Sequence, residues 1–330
     1  MHHDRTPSSG LSRRCFLGSA AAVAALASLP GAALAVTRRA GTSPLSFTEL
    51  APGAFLIDGG GGNGLLHDGV LIDCKNPGLG DHLRREVLAR GELRTVVNTH
   101  HHADHTGGNH GFRAPDQGSP VEVVAHVNAA PRIEAQIDRY RETVRGMAQQ
   151  GTGDVPDDLK ADIERIVADL DQLDAADFLP SRTIEAATDR IGPFDVFHFG
   201  PGHTDNDLVL FDPEANVLHA GDLLFHKVYP FFDGGAGANT DGWINACNRL
   251  HELCDADTVV IPGHGAVADR TIAMEQIAFF ERLREAVGEA IREGRSRDEA
   301  IEMTWPFMEG YQVDWIRPYT IGGVYDELSS

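Results

Sequence analysis

The run Thr99-His100-His101-His102-Ala103-Asp104-His105-Thr106-Gly107-Gly108 gathers four imidazoles and a carboxylate within ten residues. It directly follows an apolar β-type segment, which places it in a loop at a sheet edge. On an extended backbone His100 and His102 project the same way, and Asp104 and His105, beyond the turn, face a second point. Imidazole nitrogen and carboxylate oxygen suit Zn²⁺, and also Fe or Mn, so one loop offers donors to two neighbouring ions. Taken alone, the run also fits a solvated His-rich loop. Three later motifs decide between these: Gly200-Pro-Gly-His203-Thr204, His219-Ala-Gly-Asp222 and Ile261-Pro-Gly-His264-Gly265. Each sets a His or Asp at the end of a β-type run beside Gly, which lets the backbone turn sharply and approach an ion closely. His100, His102, Asp104, His105, His203, Asp222 and His264 therefore form one candidate metal site. His101 receives no ligand role.

The elements that must position these residues follow from the apolar pattern. Short runs at 54–57, 64–66 and 70–72, separated by Gly and Asp turns, predict consecutive antiparallel strands. A helix at about 80–90 precedes a strand at 93–98, and another strand covers 121–125. Ile133, Ile137, Tyr140, Val144 and Met147 recur at helical spacing, as do Leu159, Ile163, Ile166, Leu170 and Leu173. With Gly151-Thr-Gly-Asp-Val-Pro156 between them, they predict an inserted helical hairpin over 130–177, Tyr140 packing between its helices. Strands resume at 194–199, 208–211, 217–220 and 258–261. Helices are expected from about 241 and over 271–292, and Ser296 with Glu299 fits a capping box for a final helix. Gly59-Gly-Gly-Gly-Asn-Gly64 reads either as a loop covering the site or as a tight hairpin turn. Asp73, at the end of the 70–72 run, reads on its own as a turn-forming Asp. His126, ending a strand, reads as packed rather than as support for a ligand. Layered β-rich and helical segments fit one α/β domain over 45–330.

The N-terminus carries a different signal. Arg13-Arg14 precedes an uncharged run from Cys15 to Leu29 and the small-x-small sequence Ala33-Leu34-Ala35, the arrangement of a twin-arginine export signal over 1–35. The run is shorter than the ~20 residues that span a bilayer, so export to the periplasm through the twin-arginine machinery is expected, without stable membrane insertion. Beyond residue 35 the cysteines are Cys74, Cys247 and Cys254, an odd number that cannot close a disulfide framework; buried free thiols are expected. The net charge of -21 repels nucleic-acid backbones, which favours a small-molecule substrate. Oligomer formation is compatible with the sequence.

The spacing His100-x-His102-x-Asp104-His105, followed by His203, Asp222 and His264, resembles the metallo-β-lactamase superfamily over about 45–270. That resemblance implies a four-layer αββα sandwich with the site at one edge. It implies a first metal on His100, His102 and His203, a second on Asp104, His105 and His264, and Asp222 bridging them, with His101 in the variable position; it also offers a second reading of Asp73, as the acid that supports the metal loop. Two zinc ions would acidify a shared water whose hydroxide attacks a carbonyl or phosphoryl centre, with Asp104 orienting the nucleophile. The bridging Asp222 is similar to that of hydroxyacylglutathione-hydrolase-like thioester hydrolases, lactonases and phosphodiesterases, whereas zinc β-lactamases generally place Cys or Ser there. The stretch from Asp222 to Trp243 is loosely similar to exported members found beside sulfur-oxidation and quinoprotein systems. The expected activity is hydrolysis of an ester, thioester or lactone. A β-lactam hydrolase, a phosphodiesterase and a non-catalytic periplasmic metal-binding partner protein are the alternatives.

Overall fold

The computed structural model describes residues 45–77, 79–113, 121–137, 168 and 174–330. The export signal expected over 1–35, Tyr140 and most of the hairpin expected over 130–177 lie outside them; at the edges of that expected hairpin, 129–137 are helical and Ala175–Phe178 form a 3₁₀ turn.

The first half of the chain forms β1 (Ser46–Ala51), β2 (Ala54–Asp58), β3 (Gly64–His67), β4 (Val70–Ile72), β5 (Thr95–Val97), β6 (Glu122–His126) and β7 (Arg182–Ile184). They make a seven-stranded sheet in sequence order. β1 to β4 run antiparallel, and β4 to β7 are parallel. The second half forms β8 (Thr188–Ile191), β9 (Phe194–Phe197), β10 (Val209–Asp212), β11 (Val217–His219), β12 (Phe225–His226), β13 (Val259–Ile261) and β14 (His264–Gly265). Five of these build a second sheet in the order β13-β11-β10-β9-β8, and β12 pairs with β14.

Strand alternation explains the layers. Successive side chains point to opposite faces, so Val97, Leu210 and Val217 enter one core between the two sheets, together with Ile72, Phe194 and Ile261. Their neighbours face outward. Val96 joins Leu71, Leu83 and Val87 beneath α1 (Gly80–Leu88), which crosses from β4 to β5. Short helices α2 (Ala103–Thr106) and α3 (His110–Arg113) follow β5. On the far side, Val209 and Leu218 pack under α4 (Thr240–Leu253) and α5 (Thr271–Arg292) with Trp243, Phe280 and Leu283. The result is the expected αββα sandwich.

Several elements differ from expectation. The predicted strands are present, 70–72 with the expected bounds and the others moved by a residue or two at their ends, as when 93–98 becomes Thr95–Val97. β1, β7 and β8 were not anticipated, because their residues are largely polar and exposed. The Ser296–Glu299 capping box is formed and opens α6 (Arg297–Glu302). It is not the last helix: α7 (Arg317–Ser329) follows and packs Ile321 and Val324 into the same core as Phe280. Cys74, Cys247 and Cys254 are buried free thiols. Among the described residues no helix is long and apolar enough to cross a membrane.

Trp243 joins layer to site: its indole is fully buried and donates to the Leu223 carbonyl at 2.8 Å. Trp243→Ala removes that contact and opens a large cavity. It is expected to lower stability by about 3–5 kcal/mol, read as a fall in the denaturant midpoint of the purified chain.

Candidate metal centre

Parallel pairing sets the site. Ile72 of β4 lies opposite Val97 of β5, so the residues leaving both strands emerge side by side. The Asp73 amide donates to the Val97 carbonyl at 2.9 Å. Asp73 adopts φ +62°, a left-handed conformation that Asp tolerates better than most residues, and its carboxylate turns inward. Oδ1 accepts the Thr99 amide at 2.8 Å. Oδ2 accepts the Thr99 hydroxyl at 2.8 Å and faces His105 Nδ1 at 2.7 Å. Asp73 is thus support for the His-rich loop, and its turn conformation is how it gets there. His102 caps α2 in extended conformation, so His100 and His102 precede the helix while Asp104 and His105 sit in its first turn.

The second sheet repeats the device. His219 of β11 lies opposite Ile261 of β13, which brings Asp222 and His264 together just beyond. Gly263 approaches so closely that a Cβ there would overlap the Asp222 carboxylate. His203 arrives from the loop between β9 and β10. Asn63 ties the halves: its amide donates to the Pro262 and Gly265 carbonyls at 2.8 and 2.9 Å. The Gly59–Gly64 loop lies against the site, where a Cβ on Gly62 would overlap the His105 ring. The Gly62 carbonyl accepts from the buried Lys75 ammonium at 2.5 Å, and that of Ile57 does so at 2.7 Å.

All seven predicted residues converge. Donor atoms of His100, His102, His203 and Asp222 lie within 4.8 Å of one another, as do those of Asp104, His105 and His264. Asp222 reaches both groups. Its Oδ2 is 3.8 Å from His100 Nε2, 3.9 Å from His203 Nε2 and 3.4 Å from His264 Nε2. Its Oδ1 is 3.1 Å from His105 Nε2. Asp104 Oδ2 is 3.1 Å from His264 Nε2 and 3.4 Å from His105 Nε2. His126 stacks on His198 with ring centroids 4.1 Å apart, in keeping with a packed role.

The electrostatics are those of charges in a dry pocket. Burial favours neutral carboxyls, yet the imidazoles of His264 and His105 hold Asp222 and Asp104 well below the usual carboxylate range. Burial likewise opposes a charge on His264, but Asp222 and Asp104 prevail and push it up to about 9. His105 is raised against its burial by Asp222, Asp104 and Asp73. His100 is driven down, by burial and then by His105. Burial takes Lys75 down to about 8.

The donor set fits a divalent cation. His105 Nε2, both His203 nitrogens and Asp222 Oδ1 are buried with no hydrogen-bond partner among the described residues. Such atoms are costly unless a further partner satisfies them, and these face one another across a few ångströms.

Two residues near this set escaped sequence reasoning. Asp233 Oδ2 lies 3.0 Å from His102 Nε2 and 3.5 Å from His101 Nε2, and Asn206 Nδ2 lies 3.1 Å from His101 Nδ1. Asp233 stands in an irregular segment 131 positions from His102, and no local spacing announces the contact.

The family model for the metallo-beta-lactamase superfamily matches residues 53–264. A hydroxyacylglutathione hydrolase of Rhodospirillum rubrum is 26% identical over 204 residues, covering 59% of this chain and 60% of that protein. A type 2 metallo-beta-lactamase of Bacillus cereus is 24% identical over 87 residues, covering 26% of this chain and 34% of that protein. The chain therefore spans less than two thirds of the length of either curated relative. Among solved structures, the DIM-1 metallo-beta-lactamase superposes with a TM-score of 0.52 at 18% identity, over 73% of this chain and 98% of that one. VMB-1 gives 0.51 at 20% identity, over 72% and 97%. These two show a shared fold.

A pH dependence follows for the metal-free protein. His264 is raised from an ordinary 6.5 to about 9; the stability its proton contributes is complete below pH 6.5 and is lost as pH rises towards 9. His105 acts in the same direction. His100, His101, His126 and His219, all lowered chiefly by burial, act the other way as pH rises through 6.5, and Lys75 does so above about 8. Above about pH 7 the lowered histidines are largely neutral in both folded and unfolded chains while His264 and His105 still hold protons only in the folded one, so chelator-treated protein is expected to lose stability from about pH 7 to 8, read as a falling denaturation midpoint; a flat or rising profile there contradicts this electrostatic account.

Proposed function

The chain belongs to the metallo-β-lactamase superfamily, and from that premise we propose that it is an exported binuclear zinc hydrolase acting on the carbonyl of a small ester, thioester or lactone. One observation carries the reading: the Asp222 carboxylate stands between the two donor groups, within 3.1–3.9 Å of His105, His264, His100 and His203. An acid so placed suits a bridge between two cations. His100, His102 and His203 would hold one, and Asp104, His105 and His264 the other. Two bound divalent ions would supply a water acidified to near neutrality and Lewis-acid polarisation of the substrate oxygen.

The chain's own residues do the rest. Asp104 is held ionised, so it can orient the attacking water by accepting its hydrogen bond. His102 and His264 retain 14% and 12% side-chain exposure while His100, His105 and His203 retain none; substrate reaches the centre from that side. Phe231 packs edge-on to His102, with centroids 5.5 Å apart, and Phe225 stacks on His264 at 5.4 Å. These rings set aromatic carbon beside the two more exposed imidazoles, an environment suited to an acyl group. The acidic bridging residue favours thioester or lactone over β-lactam, since zinc β-lactamases generally carry Cys or Ser at the matching position. The net charge of -21 disfavours polyanionic substrates. The sequence over 1–35 supports export through the twin-arginine route to the periplasm.

The test is metal analysis of the purified protein followed by assay on a thioester, a lactone, a cephalosporin and bis-nitrophenyl phosphate, with and without chelator. Chelator-sensitive turnover of the thioester or lactone is expected. Turnover of the cephalosporin or the phosphodiester alone would replace this reading. Asp104→Asn is expected to lower kcat by about 10²–10⁴-fold with both metals retained, and a near wild-type kcat in the loaded variant would remove Asp104 from its role.

A further inference from the structure

We propose that Asp233 is a positioning residue of the metal centre: it fixes the ring orientation and tautomer of His102, shares its carboxylate with His101, and is braced by the C-terminal helix α7. The proposal rests on the reading of His102 as a metal ligand.

The hydrogen positions follow from the contacts. His102 Nε2 lies 3.0 Å from Asp233 Oδ2. A carboxylate oxygen offers no hydrogen, so Nε2 carries it and the lone pair is left on Nδ1. Nδ1 is the atom aimed at the centre, 3.0 Å from His100 Nε2. His102 thus presents Nδ1 where His105 and His264 present Nε2 to the acids. Asn206 Nδ2 donates to His101 Nδ1 at 3.1 Å, which puts the His101 hydrogen on Nε2, 3.5 Å from the same Asp233 oxygen. One carboxylate therefore faces two N–H groups from neighbouring rings. A hydrogen-bonded carboxylate behind a ligand ring fixes its orientation and raises its basicity. The three side chains also meet the spacing of a further cation site. The hydrogens on both Nε2 atoms leave no lone pair there for a cation, so positioning is the better account.

The segment bearing Asp233 is held from both sides. The Thr320 hydroxyl of α7 donates to the Pro230 carbonyl at 2.6 Å. The Phe232 ring sits so close to Gly323 that a Cβ there would overlap it. The Thr240 amide donates to Glu327 Oε1 at 2.9 Å. Asp233 Oδ1 accepts the Ala236 amide at 3.1 Å, which locks the carboxylate's own rotation. α7 lies beyond residues 53–264 matched by the family model, so the brace belongs to the C-terminal part of this chain.

The experiment compares the full chain with Asp233→Asn, Asp233→Ala and Gly323→Ala. It measures Zn²⁺ affinity by chelator competition, the zinc count by native mass spectrometry, and the His102 tautomer by long-range ¹H–¹⁵N spectra with and without zinc. Asp233→Ala is expected to weaken one zinc by about 10–100-fold with the saturating count unchanged, and to release the Nε2–H tautomer of His102 even in metal-free protein. Asp233→Asn keeps an acceptor oxygen and should lose less. Gly323→Ala should reproduce part of the loss from a distance; unchanged affinity there removes the brace. Unchanged affinity and tautomer in Asp233→Ala overturn the proposal. So does a third zinc in the wild type that Asp233→Ala loses, since Asp233 would then be a ligand. Wild-type protein that takes up no zinc overturns the hydrolase reading as well, which separates the two failures.

Discussion

Three buried carboxylates, those of Asp73, Asp104 and Asp222, surround the single ring of His105 at 2.7, 3.4 and 3.1 Å. Removing one such charge from water costs several kcal/mol unless partners replace the lost solvation. The protein answers in two ways. Asp73 is satisfied permanently, by the amide and hydroxyl of Thr99 and by the His105 ring. Asp104 and Asp222 have imidazoles around them, and those of His105 and His264 hold protons far more tightly than free histidine does. A cation binding among these donors replaces protons that the pocket already recruits. The same excess of negative charge that would destabilise an empty cavity is what makes it selective for positive occupants.

The sandwich supplies this pocket twice over by one device. Adjacent parallel strands end level with each other, so the loops leaving them are neighbours; β4 with β5 delivers Asp73 and the His-rich run, and β11 with β13 delivers Asp222 and His264. The two sheets then meet face to face through Val97, Leu210 and Ile261, and the backbone bond from Leu208 to the Thr99 carbonyl at 2.7 Å stitches the loops across the gap. Packing of ordinary aliphatic residues, well away from any reactive atom, thus sets the separation between the donor groups.

What could be read from the sequence was whatever the chain encodes locally. Each of the seven candidate donors sits at the end of an apolar run beside a glycine or inside one compact loop, so residue type, neighbour and order sufficed to point to the set that the fold gathers. The central strands were legible for the same reason. β1 and β8 were not, since their exposed polar residues hide the alternation that marks a strand. α7 was hidden by Gly322 and Gly323, which argue against a helix by propensity; the close approach of Arg297 and Phe232 explains why glycine stands there. Asp233 was invisible because its meaning comes from a ring brought to it by the whole fold.

The donors are spread from residue 100 to residue 264. On a ribosome adding about 5–20 residues per second, roughly 8–33 seconds separate the emergence of the first from that of the last. Throughout that interval the histidine-rich loop exists without its counterpart strands, and any ion it meets is held by a fragment of the final set. Asn63 waits longer still for its own partners, the carbonyls of Pro262 and Gly265. Closure of the pocket therefore waits for the segment that carries His264, and until that segment has been made the loop from residue 100 offers an ion only part of its set.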